Sequence, residues 1–157
     1  ADGAVLGEDV TWVLYPGDEA AGRPLKTIVW GGPRSFRAPA GTHAVGFQVG
    51  RTLRGVTPVE FVEGESKTLP FVLDAGYAAF TFTGEASPSS SLIGFRKHAA
   101  DGSMAPLATM DVSGARNPLP FAAGDYSIAA TGAKGRVEVP FTVTAGGTVE
   151  VTVAYPE

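Results

Sequence analysis

Few side chains in this sequence are of a type that could do chemistry, and fewer are spaced for it. Histidine occurs only at His43 and His98. His43 stands two residues after a glycine at the start of an alternating run, and His98 falls at the end of another, so neither belongs to a ligand cluster with metal-site spacing. Serines crowd into "EASPSSSL" from Glu85, but a serine run beside proline reads as a loop, and no Gly-x-Ser-x-Gly elbow exists to raise a nucleophile. The carboxylate pairs Glu8-Asp9, Asp18-Glu19 and Glu63/Glu65 fall in turns and at strand ends, where solvated surface charge is the default. With no cysteine in the chain, thiolate chemistry, disulfides and Cys-ligated metals are all excluded.

Ion and phosphate sites fare no better. The Asp-x-Asp-x-Asp-Gly spacing of a calcium loop is absent, and "ADGS" from Ala100 reads as a turn. The glycine pairs Gly31-Gly32 and Gly146-Gly147 join strands and lead into no helix, so they do not form a phosphate cradle. No catalytic residue, metal ligand or cofactor is expected.

Binding has better candidates. Between Glu19 and Glu60 there is no acidic residue, while Arg23, Lys26, Arg34, Arg37, Arg51 and Arg54 all fall there. The simplest reading is a set of solvated cations on strand faces, and the sharper one is an anion-facing sheet. Within that stretch Trp30 is the best candidate for an exposed contact, with Arg34 and Arg37 placed to stack or to grip carboxylates.

The elements that must position these residues follow from punctuation. The 21 glycines and 12 prolines in 157 residues leave no uninterrupted window of helical length with apolar spacing. Valine, threonine, phenylalanine and tyrosine fill the short runs between, which is strand composition, so the sequence predicts an all-β protein. No run approaches the roughly 18 apolar residues that span a bilayer, so membrane insertion is not expected. The formal net charge of −4 gives no electrostatic case for nucleic acid as the partner.

The chain also repeats itself. "PAGTHAVGFQV" from Pro39 returns as "AAGDYSIAATG" from Ala122, an offset of 83, and a fixed-period match implies two copies of one structural unit. In that register Trp12 falls on Phe95, Gly41 on Gly124, His43 on Tyr126 and Val45 on Ile128. Trp12 thereby reads as the core aromatic of its sheet, while Trp30 falls on Ser113, a position that needs no apolar residue. After a one-residue slip Pro58 falls on Pro140, Val59 on Phe141 and Leu69 on Val151. Each copy reads as about seven short strands, and "VPFTVTAGGTVEVTVAY" reads as a hairpin around Ala-Gly-Gly. Gly41 and Gly124 are expected where a side chain would clash. The next strand then turns His43 or Tyr126 inward, and a tyrosine there can bury its ring while bonding its hydroxyl to nearby backbone.

The segments "FRKHAADGS", "AAGDYSI" and "FTVTAGGTVEVTV" resemble the tandem extracytoplasmic β-sandwich repeats of bacterial envelope and secreted proteins: carboxypeptidase-regulatory-like, transthyretin-like, collagen-adhesin B-type and related immunoglobulin-like domains. The resemblance implies two tandem Ig-like or transthyretin-like β-sandwich modules, residues 1–76 and 77–157. It implies a non-catalytic spacer or protein-binding segment, periplasmic, at the cell surface or secreted. Its partners would be other domains of a longer parent protein or an envelope protein. A carbohydrate-binding module with a glycan partner is the main alternative, and a β-sandwich enzyme domain a distant one. The counterpart of "YAAFTFT" would fall before Ala1, which suggests a unit shortened at its start or a fragment cut from a longer chain. The resemblance also raises a Lys–Asn isopeptide cross-link, but the single asparagine, Asn117, precedes a proline in a loop, so none is expected.

Overall fold

The structure is a computed structural model that describes residues 10–29, 31, 35, 37–84, 92–111, 118–132 and 134–155. Within them the fold is all-β, with no helix and three sheets. The strands are β1 (Val10–Pro16), β2 (Lys26–Ile28), β3 (Gly41–Val49), β4 (Leu53–Phe61), β5 (Ala75–Thr83), β6 (Leu92–His98), β7 (Met104–Asp111), β8 (Leu119–Ala122), β9 (Gly124–Gly132), β10 (Gly135–Val143) and β11 (Thr148–Ala154). The chain divides into two compact units, Ala1–Val72 and Leu73–Glu157. The expected border at 76/77 would cut β5 two residues after its start.

The second unit has the seven strands β5 to β11. They form a four-stranded sheet in the order β10-β9-β6-β7 and a three-stranded sheet in the order β11-β5-β8. Alternation drives the pairing, because each strand turns one row of side chains to a shared interior. Ala78 and Phe80 of β5, Phe121 of β8 and Val151 and Val153 of β11 meet Ile93, Phe95, Tyr126, Ile128 and Phe141 from the other sheet in one cluster. The arrangement is therefore sandwich-like. Phe121 is fully buried at its centre, with ring centroids 5.0 to 6.3 Å from Tyr126, Phe95, Phe141 and Phe80.

The run around Ala-Gly-Gly is not a hairpin. β10 pairs with β9, whereas β11 runs parallel to β5 in the other sheet. The connection crosses between layers: Gly146 N–H donates to Ala75 O at 2.8 Å, and Gly147 O accepts from Tyr77 N–H at 2.8 Å. An alternating pattern fixes which face is buried but not which neighbour a strand takes. Here Phe141 and Val143 have to meet Val151 and Val153 from opposite sides of the core.

In the first unit, β1 to β4 form one sheet in the order β2-β1-β3-β4. Leu14, Val45 and Val59 make its core, and Ala38, Phe61, Leu69 and Phe71 pack against them. Trp12 is half-buried, 6.2 Å from the Phe47 ring and 5.3 Å from Phe71. Its match to Phe95 is displaced by one pleat. Leu14 lies opposite Val45 as Phe95 lies opposite Ile128, so Leu14 occupies that place once His43 and Tyr126 are superposed. A shift of two residues leaves the side chain on the same face, so the burial expected of Trp12 is met one pleat along. The one-residue slip falls in the hairpin turns. Val49 pairs with Leu53 in one unit and Gly132 with Gly135 in the other, and beyond them Val59 faces His43 as Phe141 faces Tyr126.

Candidate interaction surface

Each unit has a corner built in the same way. Gly41 and Gly124 open β3 and β9 with φ of +118° and +146°. A Cβ on Gly41 would meet nothing within 4 Å, and one on Gly124 nothing nearer than 3.8 Å. The expected clash is therefore absent, and it is the backbone conformation that calls for glycine. Two residues on, the Tyr126 hydroxyl donates to Ala122 O at 2.8 Å, and His43 Nε2 stands 3.0 Å from Pro39 O. A carbonyl can only accept, so Nε2 carries the hydrogen there. His43 Nδ1 is buried without a partner. Burial raises the Tyr126 phenol above its ordinary value by penalising the phenolate.

The other residues that could do chemistry are tied to turns or lie open. The Ser103 hydroxyl, and then the Ser103 N–H donating at 2.9 Å, hold the Asp101 carboxyl below the usual carboxylate value, and Gly102 follows at φ +81°. "ADGS" is thus a turn. His98 ends β6 opposite Met104 and lines an open depression of about 560 Å³ with Asp125, Thr142 and Tyr126. There Asp125 already accepts from the Thr142 hydroxyl at 2.6 Å, and His98 Nε2 is buried with no partner. One imidazole and one engaged carboxylate make neither a nucleophile nor a metal site. Among the described residues no group of three or more His, Asp or Glu converges. Asp18, Glu19, Glu63 and Glu65 are exposed, while Glu8, Asp9, the serine run at 85–91 and Asn117 lie outside the described residues.

Of the three residues expected to touch a partner, Trp30 and Arg34 also lie outside the described residues, and Arg37 is exposed. The structure therefore describes one of the three.

No protein-family model, curated protein or solved structure matches this chain.

What sequence reasoning missed is a difference between two sheet faces. On the outward face of the second unit, Glu138 accepts from Ser127 Oγ at 2.8 Å and pairs with Arg96 and Arg136 at 3.4 Å. On the outward face of the first, the same places in the pairing register hold Tyr15 opposite Ala44, and Val56 opposite Gly46. Val56 is 48% exposed. An ion-paired cluster in one unit is thus replaced by an apolar centre in the other, where Arg54 opposite Gln48 keeps the place of Arg136. Reading this needed the strand register, because Tyr15 stands 29 positions from Ala44 and Arg96 stands 42 positions from Glu138. Tyr77, 41% exposed, is the one large aromatic among the described residues that is more than about a third open. It stands alone on its face of β5, where a glycan platform would present two or three rings side by side.

Proposed function

We propose that this chain is a non-catalytic structural or interaction segment of a bacterial envelope or secreted protein, working as a spacer or a protein-binding segment. The observation that carries the reading is the corner. The residue types best suited to chemistry, a histidine and a tyrosine at matched places, are both spent on holding a turn against a strand.

The finer fold reading is two tandem modules of one kind, and three observations support it. The orders β2-β1-β3-β4 and β7-β6-β9-β10 read alike. The corner bond spans four residues in both units. The proline-bearing pairs Ala44–Pro58 and Ser127–Pro140 hold the same register place. In an immunoglobulin sandwich the first, second, fourth and fifth strands share a sheet. Here the first, fourth and seventh strands of the second unit do so, which favours the transthyretin-like alternative. Extracytoplasmic placement rests on that likeness.

The test is capture. The immobilised chain, challenged with periplasmic and cell-surface extract, is expected to retain a protein, and a spacer-only role would retain none. Turnover of a glycoside or ester substrate panel that is abolished by His98→Ala would overturn the non-catalytic reading.

A further inference from the structure

A sheet ends in strands whose outer backbone groups lack a partner, and proteins blunt such edges with proline, bulges, charge or brevity. In the first unit the edges are β2, three residues long, and β4, which carries Pro58. In the second unit β10 carries Pro140. β7 carries Pro106 at a break in register, and β8 has four residues, one of them Pro120. β11 has no proline, no bulge and full length. It is a seven-residue edge strand, "TVEVTVA", with a single charge, Glu150.

The direction of its free backbone is fixed. Gly147 O and Tyr155 N–H both bond toward β5, so in a parallel ladder the odd-numbered residues between them face β5. Thr148, Glu150, Thr152 and Ala154 then turn N–H and C=O outward. Among the described residues no strand takes up that row. The side chains alternate to match, with Val151 and Val153 buried while Glu150 and Thr152 are exposed.

We propose that β11 is a self-pairing edge, whose occupant is β11 of a second copy of this chain, antiparallel about a dyad at Thr152. That register sets Thr152 against Thr152, a favourable cross-strand pair, and Val151 against Val153, which continues the buried row. Glu150 falls opposite Ala154. The two Glu150 carboxylates then stand ~13 Å apart along the strands, beyond the Debye length of about 8 Å at physiological salt. The pairing is isologous, so it closes on itself. The joined sheet runs β8-β5-β11-β11-β5-β8 and ends at both sides on the proline-bearing β8, leaving no unguarded edge. This pairing gives the interaction reading its partner, and it fails separately: a monomer leaves the spacer reading intact.

Sedimentation of the full chain from micromolar to millimolar concentration tests it, alongside Thr152→Pro and Thr152→Lys. Thr152→Pro removes an outward donor that β5 does not use, and Thr152→Lys sets like charges face to face at the dyad. The expected result is a concentration-dependent dimer that Thr152→Pro abolishes with unchanged circular dichroism. Thr152→Lys should weaken it about two- to fivefold, with recovery in salt. A chain that stays monomeric throughout, or a dimer indifferent to both variants, overturns the proposal. So does exchange protection at Thr148, Glu150 and Thr152 that does not depend on concentration, because another segment would then cover the edge.

Discussion

His43 and Tyr126 hold the carbonyls of Pro39 and Ala122, each four residues upstream, at 3.0 and 2.8 Å. An imidazole and a phenol thus fix the same corner in two units that each bury a core of their own. The phenol brings more to it. Tyr126 lies 5.0 Å from the Phe121 ring and 5.6 Å from Phe141, whereas His43 meets only the Phe61 ring, at 5.7 Å, among the described contacts.

The Tyr126 phenol gives the second unit an alkaline limit. Its folded value is raised above 10.0 by burial. Its contribution to stability is therefore full below pH 10.0 and is lost as pH climbs through the folded value, because the unfolded chain releases the proton first. Denaturation midpoints measured across that range should fall for the native sequence. Tyr126→Phe should flatten that part of the dependence, and an unchanged slope would show that another group governs it.

Two glycines separate conformation from space. Neither Gly124 nor Gly94 has an atom close enough to clash with an added Cβ, but only Gly124 has positive φ, at +146°. Gly124→Ala should cost about 1 to 3 kcal/mol. Gly94→Ala, inside β6, should be neutral or gain up to about 1 kcal/mol from a stiffer unfolded chain. Equal losses in urea titrations would contradict the assignment.

The Tyr155 hydroxyl is buried with no partner, although its ring stacks 6.2 Å from Phe82. Tyr155→Phe keeps the ring and removes the unsatisfied group, so stability should hold or rise by about 1 kcal/mol. A loss of that size would mean the hydroxyl is satisfied in solution, and thermal melts distinguish the two.

How much of this was legible in the sequence depends on the range of the interaction. The strands, the corner and the slip near the turns could be read because period-two alternation, a glycine and the ring two residues later are local signals. The same pattern misassigned Trp12 to Phe95 because a two-residue shift preserves the face. It made a hairpin of β10 and β11 because alternation is blind to the choice of partner. The candidate surface was the least legible part. Tyr15 and Val56 become neighbours only through β3, and the unguarded state of β11 is visible only once every other edge is known. Trp30 was chosen because its match in the repeat, Ser113, needs no apolar side chain, and Arg34 as its neighbour along the chain, and both lie outside the described residues.

The central claim, two units each held by its own core and its own corner, has a direct optical test because both tryptophans, Trp12 and Trp30, belong to the first unit. Unfolding of the full chain in urea would be followed by tryptophan fluorescence and by backbone circular dichroism for the native sequence, His43→Phe and Tyr126→Phe. Each substitution removes one corner bond, worth about 1 to 2 kcal/mol. The account predicts that His43→Phe shifts the fluorescence transition to lower urea while Tyr126→Phe leaves it in place and shifts only the dichroism. A fluorescence transition moved as far by Tyr126→Phe as by His43→Phe would contradict it.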